Sequence, residues 1–206
     1  DLLLEIGLEE MPSAFLPQLV EDYKRVAQNK LASQRLAFQD IKVFATPRRL
    51  VLLVEELAEK QEDARIESRG PKKKAAFDAQ GQPTKAALGF ARSQGVAVED
   101  LEIREVAGVE YLFAVKTEAG VATREILASL LQDILFSLPL PKSMRWGYHQ
   151  IRFIRPIRWI LALYGDELLD MQIENVKSSN VTYGHRFLSS GAIKVNSINE
   201  FFSALR

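Results

Sequence analysis

The stretch IKVFATPRRLVLLV, from Ile41 to Val54, determines how the first part of the chain folds. It starts with alternating apolar and polar residues and ends with a densely apolar run, which predicts two β-strands. Thr46 and Pro47 interrupt the pattern, because a residue before proline is driven out of the helical region. We therefore predict a hairpin. We expect its turn residues Arg48 and Arg49 to be solvated, with contact to an anion as the alternative.

Two segments that precede this hairpin extend the prediction. Leu2 to Gly7 is a short, continuous apolar run, as expected of a buried strand. Leu16 to Leu31 repeats apolar residues at intervals of three and four, which predicts an amphipathic helix with a charged opposite face. Together these segments predict a β-α-β-β arrangement at the start of the chain.

The composition limits the class of protein. The 206 residues are 47% hydrophobic, enough for one large domain or two small lobes. Lys and Arg number 27, as do Asp and Glu, so a surface that binds a polyanion has to be local. The absence of cysteine excludes disulfides, thiolate zinc sites and a cysteine nucleophile. We find no membrane-length apolar run and no signal peptide, and we expect a cytoplasmic chain that is a piece of a longer protein.

The whole pattern predicts an α+β fold of mixed or antiparallel sheets with packed helices, in two lobes. We expect residues 1–66 to form the β-α-β-β segment and to share a core with residues 139–206. Residues 67–138 are expected to form an inserted α+β lobe with a helix, a hairpin and a second helix. The last part, 139–206, holds a basic and aromatic stretch, further strands and a C-terminal helix.

The basic and aromatic stretch runs from Pro139 to Trp159, PLPKSMRWGYHQIRFIRPIRW. It contains both tryptophans, and no Asp or Glu occurs between Asp133 and Asp166. Cations that alternate with flat rings suit a phosphate backbone and unstacked bases. The alternative is an ordinary strand region in which the rings are core and the arginine stems reach water. We expect Trp159 to be core and Trp146 to remain a candidate for contact.

The chain offers little for bond-making chemistry. The two histidines, His149 and His185, are far apart, and neither lies in a metal-binding spacing. Glu9 and Glu10 are adjacent, so their carboxylates diverge, whereas acid–base catalysis needs converging groups. We expect both to be surface residues. We predict no catalytic residue and no metal site, and favour binding or structural work.

Several motifs, in this order, resemble one known family. They are LLLEIGLEEMPS, FATPRRLVLLVEEL, RGPKKKAAFDAQGQPTKAALGFARSQGV, PKSMRWG, RPIRWILALYG and YGHRFLSSG. Together they resemble the N-terminal part of the beta subunit of bacterial glycyl-tRNA synthetase, over essentially the whole chain. The departures are small: LEEMPS stands where TEELP is expected, with Leu8 and Met11 changed.

This resemblance implies a heterotetrameric glycine–tRNA ligase of two alpha and two beta subunits. Its alpha subunit would hold the class II catalytic core and use ATP with magnesium, so that this part of beta needs no cofactor. The partners implied are the alpha subunit, tRNA(Gly) and the remainder of the beta subunit, with no membrane. The family's N-terminal beta region is similar in architecture to the body and tail of archaeal CCA-adding enzymes, which implies contact with the tRNA acceptor arm.

Under this interpretation the candidate tRNA-binding residues are cations and aromatic rings of three segments. They are Lys142, Arg145, Trp146, Arg152, Arg155 and Arg158, then Lys72, Lys73 and Lys74, then His185 and Arg186. Arginine would contact phosphates through two hydrogen bonds, and Trp146 or Tyr148 could stack on a base. The alternative is a scaffold that packs against the alpha subunit or the rest of beta, with the arginines in interdomain ion pairs.

Overall fold

The computed structural model describes residues 1–185, 189 and 191–205. Short 3-10 turns occupy Ser13–Phe15 and Val98–Asp100. In chain order the helices and strands are β1 (Leu2–Leu8), α1 (Leu16–Ser33), β2 (Asp40–Thr46), β3 (Arg49–Glu55), β4 (Ala64–Lys72), α2 (Lys73–Ala76), α3 (Lys85–Gln94), β5 (Glu102–Val106), β6 (Val109–Glu118), α4 (Thr123–Phe136), β7 (Ile157–Tyr164), β8 (Glu167–Leu168), β9 (Gln172–Ile173), β10 (Val176–Ser179), β11 (Val181–Tyr183), β12 (Ala192–Lys194) and α5 (Ile198–Ala204).

The described chain forms two compact units. The first unit contains Asp1–Gln61 and Val121–Arg206, and the second contains Glu62–Gly120. The second unit is therefore an insertion in the first. It starts at Glu62, a few residues before the expected start at 67, and it ends at Gly120, before the expected end at 138. Helix α4 follows the insertion and belongs to the first unit, because its apolar stripe shares the core of α1.

The first unit is built on a mixed sheet with the strand order β2-β3-β1-β7-β10-β9, and β8 pairs with β7. The predicted hairpin is confirmed, with Ile41 opposite Val54 and Thr46 opposite Arg49. Strand β1 pairs antiparallel with both β3 and β7, whereas β10 runs parallel to β7. The predicted class, α+β with mixed sheets and packed helices, is confirmed.

Helices α1 and α4 cover one face of this sheet. Tyr23 and Leu31 of α1 and Leu131 and Ile134 of α4 are fully buried, and they pack in one cluster with the even-numbered residues of β1. An ion pair of 2.7 Å between Lys30 Nζ and Asp133 Oδ2 joins the two helices at the surface. Burial of these apolar side chains is the main stabilising contribution to the unit.

Helix α5 and strand β12 cover the opposite face. Phe201 and Val195 are buried there against the odd-numbered residues of the sheet, Leu3 among them. Ser197 caps the start of α5, since its Oγ accepts from the Glu200 N–H at 3.2 Å, and the Glu200 carboxylate accepts from the Asn196 N–H at 2.7 Å. Both sheet faces are therefore covered, which explains why β1 and β7 are almost continuously apolar.

The second unit has an antiparallel sheet of strand order β4-β6-β5. The predicted hairpin between β5 and β6 is confirmed, and its turn uses Ala107 and Gly108, both with positive φ. Helices α2 and α3 pack on this sheet around Ala76, Ala87 and Leu112.

Candidate functional site

Residues 144–153 of the basic and aromatic stretch form a closed loop, which we call the 144–153 loop. Met144 and Phe153 pair through two backbone hydrogen bonds of 2.8 and 3.1 Å, so that the residues between them project from the bridge. Phe153 is fully buried and anchors the loop in the core of the first unit. The base of the loop is therefore fixed to the core of the first unit.

The exposed side chains of this region include one aromatic ring and two cations that form no ion pair among the described residues. Tyr148 is fully exposed, and Lys142 and Arg145 are exposed as well. Neither cation has an ion-pair partner within the part of the chain that the structure describes. Trp146 is only half-buried and packs against the core, with its ring 5.8 Å from that of His149. The ring most accessible to a partner is thus Tyr148, whereas Trp146 mainly supports the loop.

The other arginines of the stretch are bound within the protein. Arg152 donates to Ser143 Oγ at 3.1 Å and to the Ser143 carbonyl at 2.8 Å. Arg155 donates to the carbonyls of Glu10 at 3.0 Å and Ile154 at 2.8 Å. Arg158 lies 3.4 Å from the carboxylate of Glu9. These contacts hold the loop and the ends of β1 and β7 together.

The predicted lysine triplet lies in the second unit, where β4 meets α2. Lys73 Nζ forms an ion pair of 3.0 Å with Glu110. Lys72 and Lys74 are exposed and have no ion-pair partner among the described residues. The structure thus leaves two of these three lysines available to an anion.

A cavity of about 470 Å³ opens at one end of the sheet of the first unit, and we call it the sheet-end pocket. Its walls include Arg48, Arg158, Trp159, Tyr183 and His185. Arg186, the neighbouring sequence candidate, lies outside the described residues. The pocket therefore unites two sequence candidates with the turn arginine Arg48 and with two aromatic rings.

Trp159 forms the base of the pocket and is only 8% exposed, which confirms the prediction that it is core. Its ring lies directly over the backbone of Gly7, where a Cβ atom would be 1.9 Å from Trp159 Cδ2. The Tyr183 ring meets it edge-on at 5.0 Å, and the Arg48 guanidinium lies 6.0 Å from its centre. Gly7 is therefore required by the close approach of the indole.

A buried ionic group lies next to this base. The carboxylate of Glu5 is fully buried, accepts a hydrogen bond of 2.9 Å from Thr182 Oγ1, and lies 3.3 Å from Arg49 Nε. Arg49 also donates to the carbonyl of Tyr183. Our expectation of a solvated turn is wrong for Arg49, whose side chain is 13% exposed, because its guanidinium turns inward to Glu5.

Burial affects the protonation of both members of this pair. It raises the pKa of Glu5, and the Arg49 charge and the Thr182 hydrogen bond oppose that shift. Burial likewise lowers the pKa of Arg49, against the attraction of Glu5. Sequence reasoning missed Glu5, although a single carboxylate inside the apolar run LLLEIG was a usable signal.

The described residues give no other chemical centre. Within residues 1–185, 189 and 191–205, no group of three or more His, Asp or Glu side chains is placed to hold a metal ion. The same residues include no helix that is both long and apolar enough to cross a membrane. The arrangement offers cations, rings and hydrogen-bond donors, which are groups that bind ligands.

Fold and site together define a two-unit α+β protein that presents cations and aromatic rings on one loop and in one pocket. The chain belongs to the glycyl-tRNA synthetase beta subunit family, whose model matches residues 2–206. It is 57% identical over its whole length to the glycine–tRNA ligase beta subunit of Syntrophomonas wolfei, and spans 30% of that protein. It is 48% identical over 188 residues to the same subunit of Bacillus subtilis, covering 91% of the chain and 28% of that protein. The chain thus spans less than a third of the length of these relatives.

Proposed function

We propose that this chain is the N-terminal part of the beta subunit of a heterotetrameric glycine–tRNA ligase that acts in the cytoplasm. In this proposal it binds the acceptor arm of tRNA(Gly) and helps to organise the alpha subunit and the rest of beta. Activation of glycine with ATP and magnesium, and its transfer to tRNA, take place in the alpha subunit. The names of the relatives support the ligase and its RNA substrate.

The observation that carries the RNA-binding part is the exposed set on the 144–153 loop and beside it. Lys142 and Arg145 have no ion-pair partner among the described residues, so contact with phosphate does not require breaking an internal ion pair. Tyr148 is fully exposed, and an exposed aromatic ring of this kind can stack on an unpaired base. Each such stacking contact contributes about 1–3 kcal/mol of binding.

A second candidate function is that of a scaffold without tRNA contact. It is supported by Arg152, Arg155 and Arg158, whose guanidinium groups contact Ser143, Glu10 and Glu9. If the remaining cations behave in the same way against other domains, the region would serve assembly.

The test measures tRNA affinity of the intact assembled enzyme as a function of salt concentration. We expect Arg145→Ala to reduce the slope of log affinity against log salt by about one, because one phosphate contact is lost. Tyr148→Ala should weaken binding about tenfold, because one base-stacking contact is lost. The matched control is Arg25→Ala, since Arg25 is an exposed arginine on the helical side of the same unit.

Glycine activation, followed by pyrophosphate exchange, should be the same in all of these variants. Unchanged tRNA affinity and salt slope in both loop variants would contradict RNA binding by the loop and favour the scaffold. Loss of activation together with tRNA binding would show that the substitutions disturb assembly.

A further inference from the structure

The sheet-end pocket is lined by cations and aromatic rings that lie outside the 144–153 loop. Arg48 is half-buried at its rim and has no carboxylate partner among the described residues. Arg158 is the second cation at the rim, and its contact with Glu9 is at the surface, with side chains 62% and 50% exposed. Arg49 is paired with Glu5, so Glu9 is the one carboxylate that forms an ion pair with a rim arginine among the described residues. The rim therefore keeps an excess of positive charge before His185 is counted.

Aromatic surface lies beside these cations. Tyr183 is 39% exposed and forms a wall of the pocket, while Trp159 forms its base. The two rings meet edge-on at 63°, with 5.0 Å between their centres. A volume of about 470 Å³ lies within the range of small-molecule sites.

The buried groups hold this wall in position. Arg49 donates to the backbone carbonyl of Tyr183, and its guanidinium is fixed in turn by Glu5. Thr182, which precedes Tyr183, is itself tied to Glu5. A site whose walls are fixed before the ligand arrives loses less entropy on binding.

We propose that the sheet-end pocket binds one unpaired nucleotide. Arg48 and Arg158 contact its phosphate, and its base stacks on Tyr183. The nucleotide is that of an RNA strand, which rests on the proposed function. The same chemistry would also be offered by a free nucleoside monophosphate, so the experiment separates these two sources.

The experiment uses the intact assembled enzyme and a single-stranded RNA of about six nucleotides that contains 4-thiouridine. Irradiation should crosslink this RNA to the peptide that contains Tyr183, as identified by mass spectrometry. The yield of that crosslink against RNA concentration gives the affinity of this pocket alone. A blunt RNA hairpin with no unpaired nucleotide should not compete for it.

Arg48→Ala and Arg158→Ala should each weaken this crosslinking affinity about tenfold, since each removes a phosphate contact. Arg25→Ala is the matched control for Arg158→Ala, because Arg25 is 59% exposed and also has one carboxylate partner, Asp22. It should change the affinity less than twofold. Crosslinks that fall elsewhere, or unchanged affinity in both rim variants, would overturn the proposal.

Competition with AMP identifies the source of the nucleotide. If AMP abolishes the Tyr183 crosslink at concentrations similar to those of the RNA, the pocket takes a free nucleotide. If intact tRNA competes and AMP does not, the ligand is an unpaired nucleotide of an RNA strand. If the Tyr183 crosslink forms but Arg145→Ala and Tyr148→Ala bind tRNA as the wild type does, the loop function is contradicted and the pocket is not. If these two variants lose tRNA affinity but no Tyr183 crosslink forms, the pocket is contradicted and the loop function is not.

Discussion

Arg49 and Glu5 lie on neighbouring strands, β3 and β1, with 3.3 Å between Arg49 Nε and Glu5 Oε1. The carboxylate is inaccessible to solvent, and its second oxygen, Oε2, has no hydrogen-bond partner among the described residues. The loss of hydration is therefore only partly offset by the ion pair and by the hydrogen bond from Thr182. Removal of one member of such a pair strongly destabilises the fold, although the intact pair need not be more stabilising than an apolar replacement of both members.

Removal of Arg49 alone should destabilise the first unit strongly. Arg49→Leu leaves the carboxylate of Glu5 buried without a counter-charge, and we expect a loss of about 3–5 kcal/mol in the free energy of unfolding. The double variant with Glu5→Leu should be more stable than Arg49→Leu, because no charge then remains buried. Urea denaturation of the two single variants and the double variant gives the coupling.

Lys42→Leu is the control for this cycle. Lys42 forms an ion pair of 2.6 Å with Glu55 in the same sheet, but both side chains are partly exposed. We expect a far smaller change there, since exposed ion pairs contribute little. Additive effects of the Glu5 and Arg49 substitutions would contradict the coupling.

The stability of the chain should also depend on pH through Glu5. Since burial raises the pKa of Glu5 from its ordinary value of 4.5, the folded state holds this proton more tightly than the unfolded state. The resulting stabilisation is complete below the unfolded pKa and is lost as pH rises through the folded pKa. Wild-type stability should therefore fall relative to Glu5→Gln as pH increases above 4.5. Denaturation of both proteins across that range measures the difference, and parallel curves would rule out the shift.

The local part of the fold could be predicted from the sequence. The hairpin at Ile41–Val54 follows from two apolar runs around a Thr-Pro break, and the buried strand at Leu2–Leu8 follows from one continuous apolar run. Such signals need only neighbouring residues. Helix α4 was recognisable as a helix, but its unit was not, because the same apolar stripe could pack on either core.

The site was less predictable, because it depends on contacts between residues far apart in the chain. A run of arginines shows local charge but not which of them are bound internally, as Arg155 is to the carbonyl of Glu10, 145 residues away. Arg49 follows Arg48 in the same turn, and only the packed structure shows that one turns to Glu5 and the other to Trp159.

Gly7→Ala should destabilise the first unit by about 3 kcal/mol, at the upper end for overpacked cores. The new Cβ atom would be 1.9 Å from Trp159 Cδ2, so the indole has to move. In a Trp146→Phe background Trp159 is the only tryptophan of the chain. Its emission should then shift to longer wavelength as water reaches the ring. Unchanged emission and stability would show that the sheet yields without moving Trp159.

Gly89→Ala should have the opposite sign. Gly89 lies in the exposed interior of α3, and a Cβ atom there has nothing within 4 Å. Alanine favours the helix relative to glycine by about 0.5–1 kcal/mol, so the second unit should become more stable. Hydrogen exchange of the α3 amides measures this unit by itself. Faster exchange in the variant would contradict an open position at residue 89.

Arg155 and Arg145 should differ in what they stabilise. Arg155→Ala removes two hydrogen bonds to the carbonyls of Glu10 and Ile154, and we expect a loss of about 1–2 kcal/mol in the free energy of unfolding. Arg145→Ala should leave the unfolding curve unchanged, because Arg145 is exposed and has no hydrogen bond or ion pair within the described part of the chain. Its effect should appear only when tRNA is present, as a smaller rise in melting temperature on tRNA addition than in the wild type. Equal destabilisation by both substitutions without tRNA would mean that Arg145 is also part of the folded framework, and the loop would then lose its principal free cation.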